Sequence, residues 1–524
     1  MSTPTFKYGE DFLTSSKALA LSRGELKGEL SATARQRIRK SQQLVGNIIA
    51  AGKPVYGINT GFGPLCTTTV SSEDTGKLQK NILISHAVGT GEPIATELAA
   101  IMLVLKVHAL AKGFSGIQET TLDRMIWHIQ IGAIPVVPRQ GSVGASGDLA
   151  PLSHLFLPLL GYGKVDFKGK TRDTREVLDA LDLKPVSLHG KEGLALINGT
   201  QFMAAHAVMA VIKMQNLLAS ADLVGAMMIE GLTGSARPFL PQLHELRPFK
   251  GNKHTAETVT NLLSNSEVVA SHAGCNRVQD PYSLRCIPQV HGASWNTWLH
   301  LKETIETEIN SVTDNPIVFD DGSTISGGNF HGQPIAMPMD YACLAASELG
   351  NISDRRIYLS LMGNYPGVPK LLLKETGLNS GFMIVQYTSA ALASENKSLC
   401  YPASADSIPT SMGQEDHVSM GSISGRKLLQ VIDNAERIIG LELFCAAQAL
   451  DFHEPLKPTP ILAAIHRKLR EQVPHITEDV LINPYMHAAI ELVKRGDLQR
   501  LARQVSVETS APYRTSLSNL FDEF

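Results

Sequence analysis

The part of this chain richest in chemical possibility is Gly141-Ser142-Val143-Gly144-Ala145-Ser146-Gly147-Asp148-Leu149. Small residues dominate it, and helix is expected to resume near Leu149, with Pro151 in the first turn. Two readings stand side by side. In one, the glycines shape a loop that caps the helix, and Asp148 answers the positive end of its dipole. In the other, Ala145-Ser146-Gly147 bends tightly enough to cyclise. The backbone nitrogen of Gly147 attacks the carbonyl carbon of Ala145, and glycine's missing Cβ tolerates the dihedrals this needs. Loss of water from the ring, and of the Ser146 hydroxyl, leaves an exocyclic methylene on an imidazolone. That product is an electrophile that none of the twenty side chains supplies.

Other patterns fail on their spacing. Gly161-Tyr162-Gly163 followed by Gly169-Lys170-Thr171 has five residues between Gly163 and Gly169 where a phosphate loop needs four. Gly57, Gly61 and Gly63 miss the dinucleotide-binding spacing. The 17 histidines include no HExxH and no tight cluster with carboxylates on one helical turn, so a metal site is unsupported. Ser85-His86 are sequence neighbours, which says nothing of a triad.

The elements that must position this loop are mostly helices. Ser31 is placed to cap a first amphipathic helix running to Ala51. Pro54 to Thr69 reads as Gly/Thr-rich loop. Helices are expected over 96–111 and over 120–131, the second stopped by Gly132 and Pro135. A hairpin is expected over 161–171. Long helices follow at about 200–232, 295–311, 338–362 and 423–450, then 462–473 and 483–505. Strand signals are few, as in Pro316-Ile317-Val318-Phe319, though the first 20 or so residues have room for a strand or two. No repeat of fixed period appears. The fold class is therefore mainly α: a long central helical bundle, residues 201–524, with a smaller N-terminal part, residues 1–200, carrying loops and short strands. Helices beyond 20 residues with Ala- and Met-rich faces leave little polar surface, which favours an oligomeric core.

Composition sets the outer limits. The chain has 524 residues, 43% of them hydrophobic, which excludes disorder. A net charge of -3 argues against a nucleic-acid or anionic-membrane surface. Cys66, Cys275, Cys286, Cys343, Cys400 and Cys445 form no CxxC pair and read as reduced thiols. No basic start with a following apolar run opens the chain at Met1-Ser2-Thr3-Pro4-Thr5-Phe6-Lys7, so no signal peptide is expected. The most apolar stretch, Phe202 to Leu232, carries Lys213, Asp222 and Glu230 and reads as a core helix rather than a membrane span. A cytoplasmic location is the default.

Several blocks, in order, carry a resemblance: Val55-Tyr56-Gly57-Ile58-Asn59-Thr60-Gly61-Phe62-Gly63; Gly144 to Leu149; Leu194-Ala195-Leu196-Ile197-Asn198-Gly199-Thr200; Asp280-Pro281-Tyr282-Ser283-Leu284-Arg285; Asp314-Asn315-Pro316; Gly327-Gly328-Asn329-Phe330-His331-Gly332; and Gln414-Glu415-Asp416-His417-Val418-Ser419-Met420. Nearly the whole chain resembles the aromatic amino acid ammonia-lyase family. That family's electrophile is the 4-methylideneimidazol-5-one group (MIO), and the resemblance implies that Ala145, Ser146 and Gly147 form it here without an external cofactor. It also implies a homotetramer whose active sites are shared between subunits.

The family divides by the ring of its substrate. Ser85-His86 resembles the pair of the histidine-acting branch, where phenylalanine-acting members carry an apolar pair; some tyrosine-acting members also have a histidine in this region. Glu415 resembles that same branch, where phenyl- and phenol-acting members carry an uncharged amide. The chain also ends at Phe524, without the long C-terminal insertion of plant and fungal phenylalanine-acting members. A carboxylate accepts a hydrogen bond from imidazole N–H, whereas facing a phenyl ring it is left unpaired at a cost of several kcal/mol. The expected reaction is elimination of ammonia from L-histidine to give trans-urocanate. Two alternatives are a tyrosine or phenylalanine lyase or aminomutase on the same fold, and a non-catalytic helical scaffold. The resemblance further implies Tyr282 as the base for the β proton, Tyr56 as a second active-site tyrosine acting on the amine, and Arg285 as the carboxylate grip. Asn198, Gln279 and Phe330 complete the surroundings of the carboxylate and the electrophile, and His86 and Glu415 hold the ring. Whether the amine or the ring attacks the electrophile is left open.

Overall fold

A computed structural model describes residues 5–52, 54–274 and 277–524. Cys275 and residues 1–4, which include the start of the opening segment read above, lie outside the described residues. Cys66, Cys286 and Cys445 are free thiols. The architecture is helical: the described residues form 21 α-helices, and no sheet among them has more than three strands.

Local signals account for many of the boundaries. Ser31 caps helix Ala32–Ala51, its hydroxyl accepting from Ala34 N–H at 3.0 Å. Helix Glu119–Ile131 ends on Gly132 in the left-handed conformation. Strands Lys164–Phe167 and Lys170–Asp173 make the expected antiparallel hairpin. Ile317–Val318 pairs with Thr324–Ile325.

The structure differs from expectation in several places. Within the first 20 residues Phe6–Lys7 is a strand, paired with Gly28–Glu29, but Ser15–Ser22 is a helix. The helix expected from residue 295 begins at Ile287. The helix expected from Pro338 begins at Gln333, so that Pro338 lies within it. The stretch 483–505 is two helices, Asn483–Lys494 and Asp497–Thr509, because Gly496 between them takes a φ of +71°. Helices Thr75–His86, Lys250–Leu263 and Met383–Leu399 have no counterpart in the sequence reading. In Thr75–His86 and Met383–Leu399 the mixed polar and apolar residues carry a weak helical period.

Chain contacts group the described residues into two compact units. One comprises the chain to Met209 with 302–340 and 402–426; the other comprises 210–301, 341–401 and 427–524. In the first unit, Leu98 to Leu110 of helix Thr96–Leu110 are all buried, as its unbroken apolar sequence requires. Helix Gln201–Gly231 is the one helix among the described residues long and apolar enough to cross a membrane, and it is mostly buried within the protein. In the second unit, Arg356 and Glu442 form a fully buried two-bond ion pair, Nε to Oε1 at 2.5 Å and Nη2 to Oε2 at 2.8 Å.

Candidate active site

The Gly141–Asp148 loop is held in an unusual backbone shape. Gly144, Ser146 and Gly147 have φ of +84°, +50° and +82°. At Gly147 a Cβ would stand 2.1 Å from the Gly199 carbonyl oxygen, so only glycine fits. Gly147 and Gly199 form a parallel bridge, with Gly199 N–H donating to the Ser146 carbonyl at 3.3 Å and Asp148 N–H donating to the Gly199 carbonyl at 2.8 Å. Elsewhere Met420 N–H donates to the Val143 carbonyl at 3.0 Å, and the Ser422 hydroxyl to that of Ser142 at 2.6 Å.

Asp148 does not cap its own helix, Leu149–Phe156. Its carboxylate accepts instead from Met203 N–H in the first turn of helix Gln201–Gly231, at 3.0 Å, and from the Ser142 hydroxyl at 3.1 Å. Full burial pushes this carboxyl up to about 7, against the opposing pull of those bonds. The capping of one helix by a loop leading into another ties the tripeptide to the core.

Helix Glu192–Ile197 delivers Asn198 behind the loop. Gly193 packs so closely on helix Thr75–His86 that a Cβ would lie 2.2 Å from the Gln79 carbonyl oxygen, and Leu194 N–H donates to Gln79 Oε1 at 3.1 Å. Buried Glu192 accepts from Gln118 N and Nε2, Thr121 Oγ1 and His189 N, at 2.7–3.0 Å, so the cost of burying its charge is met by four donors. Asn198 is buried, and its Oδ1 has no hydrogen-bond partner.

A cavity of about 330 Å³ opens in this unit, lined by Tyr56, Phe62, Leu65, Leu78, Asn81, Ile82, Ser85, His86, Ser146, Leu149, Leu194, Ser411 and Glu415, among others. The Ser146 hydroxyl donates to Glu415 Oε1 at 3.0 Å across 269 positions of sequence. Thr410 and Ser411 hydroxyls hold the other carboxylate oxygen at 3.1 and 2.6 Å. His86 ends its helix with Nδ1 3.0 Å from the Ser85 hydroxyl. Burial holds His86 below the ordinary imidazole range, partly offset by the Ile82 carbonyl and the Glu415 charge. The Tyr56 hydroxyl accepts from Gly63 N–H at 3.4 Å; burial raises its pKa, and the Glu415 charge adds to this. Tyr56 is thus held as a protonated phenol.

Of the residues marked out by sequence, Tyr56, His86, Ser146 and Glu415 share this cavity. Ala145, Gly147 and Asn198 flank or back it through the contacts above, and Phe330 is half-buried beside the turn in which His331 N–H donates to the Gly328 carbonyl. Gln279, Tyr282 and Arg285 belong to the second unit. There Gln279 and Tyr282 are exposed, Tyr282 at 71%. The Arg285 guanidinium sits 4.6 Å from the centroid of the Tyr282 ring, and its Nε donates to the Asp280 carbonyl at 3.0 Å. Sequence reading missed Thr410 and Ser411, whose types are too common to signal anything. It also missed Lys106, a charge inside an otherwise apolar helix, which is a visible signal.

The donor set fits the MIO group. Positive φ at Ser146 and Gly147, a cradle that a Cβ at position 147 would fill, and a buried unpartnered Asn198 oxygen are what a tripeptide closing on itself requires.

The family profile described as aromatic amino acid lyase matches residues 13–471. The histidine ammonia-lyase of Anaeromyxobacter sp. (strain K) is 46% identical over 497 residues, 93% of this chain and 98% of that one. The crystal structure of histidine ammonia-lyase from Trypanosoma cruzi superposes with a TM-score of 0.90 at 38% identity, covering 99% and 98% of the two chains. That of tyrosine aminomutase from Streptomyces globisporus gives 0.91 at 31% identity, covering 98% and 100%. The helical fold and the site are those of a carbon–nitrogen lyase. More narrowly, the chain belongs to the aromatic amino acid lyase family.

Proposed function

We propose that this protein eliminates ammonia from L-histidine to give trans-urocanate, with Ala145, Ser146 and Gly147 closing into the MIO group. The observation that carries the reading is the Ser146–Glu415 contact of 3.0 Å in a cavity also lined by His86. It places the precursor of an electrophile beside a carboxylate able to accept an imidazole N–H. Facing a phenyl ring, Glu415 would keep its Thr410 and Ser411 donors but have none at Oε1 once the Ser146 hydroxyl is lost, which disfavours the phenylalanine alternative.

The chemical difficulty is a β proton that is barely acidic and an amine that leaves poorly. The MIO group supplies an electrophile to which the substrate adds. The protein's side chains do the rest. Loss of the Ser146 hydroxyl on ring closure frees Glu415 Oε1 to accept from the substrate ring, while Thr410 and Ser411 keep the carboxylate aimed. His86, held neutral by burial, hydrogen-bonds the ring without repelling a cation. Tyr56, held protonated, donates toward the substrate amine. Tyr282 takes the β proton, and the Arg285 guanidinium, 4.6 Å from the centroid of its ring, fixes how that ring is presented. Arg285 also offers a fork to the substrate carboxylate, with Asn198, Gln279 and Phe330 completing those surroundings.

The working form in this proposal is a homotetramer in which Tyr282 and Arg285 serve a neighbouring copy. The exposure of Tyr282 supports it, as do the bare Tyr341, Leu344, Tyr358, Ile384 and Tyr387 on helices Gln333–Ser360 and Met383–Leu399, an apolar display that monomers rarely maintain. Free, half-buried Cys66 and Cys286 suit the reducing cytoplasm.

The test is a substrate panel with purified protein, following urocanate, coumarate and cinnamate absorbance, alongside intact mass. Urocanate formation and a mass short by two waters at residues 145–147 are expected. Coumarate or cinnamate alone overturns the substrate; an inactive chain of full mass favours the scaffold.

A further inference from the structure

Lys106 is a buried amine with no place in the chemistry above. It lies 1% exposed in helix Thr96–Leu110, among residues that are all buried. A lone ammonium there is costly unless its donors are used. They are used on two acceptors: Nζ donates to the carbonyl oxygen of Asn198 and, at 3.4 Å, to the side-chain oxygen Oε1 of Gln201. The charged groups facing it are Asp314, Lys191 and Asp148; Asp314 is itself paired with Lys191. Burial lowers the amine to about 7, with the two carboxylates pulling the other way.

The peptide unit that Lys106 grips is the one that touches the tripeptide. Its carbonyl end, on Asn198, receives the amine. Its N–H end, on Gly199, donates to the carbonyl oxygen of Ser146 at 3.3 Å. A cation at the oxygen of an amide draws charge from its N–H and makes that N–H the stronger donor. Ser146's carbonyl is the acyl half of the Gly147 amide. When the Gly147 nitrogen gives up its proton to attack, the charge left behind is shared with that oxygen.

We infer that Lys106 is a positioning residue for ring closure, acting through the Asn198–Gly199 peptide on the Ser146 carbonyl. This rests on the reading that residues 145–147 form the ring. The closure itself balances without an oxidant. Gly147 nitrogen bonds to the Ala145 carbonyl carbon, and its proton passes to the former carbonyl oxygen. That hydroxyl leaves as water with the proton of the Ser146 nitrogen. The Ser146 side-chain hydroxyl leaves as a second water with the Cα proton, which forms the methylene. The acceptor of the Gly199 N–H is the same before and after, because the Ser146 oxygen becomes the ring carbonyl.

The experiment compares full-length wild type with Lys106→Met, which keeps length and volume but no donor, and Lys106→Gln, which keeps an N–H donor without charge. Intact mass and the near-ultraviolet absorbance of the ring are followed with time after expression, with far-ultraviolet dichroism as the check on fold, and kcat and KM with histidine. A folded Lys106→Met whose two-water deficit appears roughly tenfold more slowly, and whose ring-bearing fraction has lowered kcat at near-normal KM, supports the inference. Lys106→Gln is expected between the two, and it decides the matter if Lys106→Met does not fold. Variants that close as fast as wild type with wild-type kcat overturn the role of Lys106 alone. A wild type of full, uncyclised mass overturns both this inference and the reading beneath it.

Discussion

The two units hold the residues marked out by sequence in opposite ways. In the first, Tyr56, His86, Ser146 and Glu415 face one cavity, and three of them are braced by a neighbour: Tyr56 by Gly63, His86 by Ser85, Glu415 by Thr410 and Ser411. In the second, Gln279 and Tyr282 stand exposed on and beside a four-residue helix, with the Arg285 cation laid over the tyrosine ring. Internal hydrogen bonds preorganise the first set, and preorganised polar groups act without reorganising during the reaction. The second set is presented outward, as residues are when another surface completes their environment. The lesson is that one chain can enclose one set of residues and display another; in the proposed reading the enclosed set makes and holds the electrophile, and the displayed set supplies a base and a carboxylate grip.

The sharpest way to break that comparison is Ser146→Ala. Loss of the only hydroxyl able to leave from the tripeptide should abolish turnover and the two-water mass deficit while far-ultraviolet dichroism stays unchanged; an active variant would remove the first region's claim. Next comes complementation. Ser146→Ala and Tyr282→Phe chains, each inactive alone, are co-expressed; if the exposed tyrosine serves a neighbour's cavity, mixed oligomers recover about one quarter of wild-type activity by random assortment. No recovery would place both residues in the service of one chain. Glu415→Gln should lower kcat/KM for histidine roughly a hundredfold, about 3 kcal/mol for a lost charge-assisted bond, read by steady-state kinetics. Arg285→Lys replaces a fork with a point charge, and its effect should fall mainly on KM, by about tenfold.

The smallest effect concerns pH. Asp148's folded pKa of about 7 lies above its ordinary 3.8, so the folded state holds the extra proton between these values. Stability from this group is therefore present at low pH and declines as pH rises from about 4 to about 7. Urea midpoints of wild type and Asp148→Asn, compared across that window, should diverge by on the order of 1–2 kcal/mol, with the slope lost in the variant. Parallel curves would mean that Asp148 is charged throughout.

Much of the first region was legible before any coordinates. The Ser31 cap, the Gly132 stop and the 164–173 hairpin follow from short-range rules that depend on a few neighbouring residues. The tripeptide was legible because its three small residues are adjacent in the chain; the positive φ values and the Gly199 cradle that suit closure were not. Helix Thr75–His86, which carries His86, was not, because Gly76 and its alternating lysine, glutamine and asparagine dilute the helical period. The split of 483–505 at Gly496 was missed for the opposite reason, since the apolar spacing runs across a break that one left-handed residue makes. In one of the two readings of the loop Asp148 answers the dipole of the helix that follows it; its carboxylate accepts from the first turn of a different helix, a choice set by packing rather than by sequence adjacency.

What the sequence alone determined is the class of the fold, the order of most helices and the position of the tripeptide proposed to cyclise, because helical period, capping and the adjacency of three small residues are set close along the chain. Only the tertiary structure decided that Ser146 meets Glu415, that Lys106 spends its donors on the peptide behind the loop, and that Tyr282 points its ring outward. Those facts join positions tens to hundreds of residues apart, and burial and close packing, which no local pattern encodes, select which of them touch.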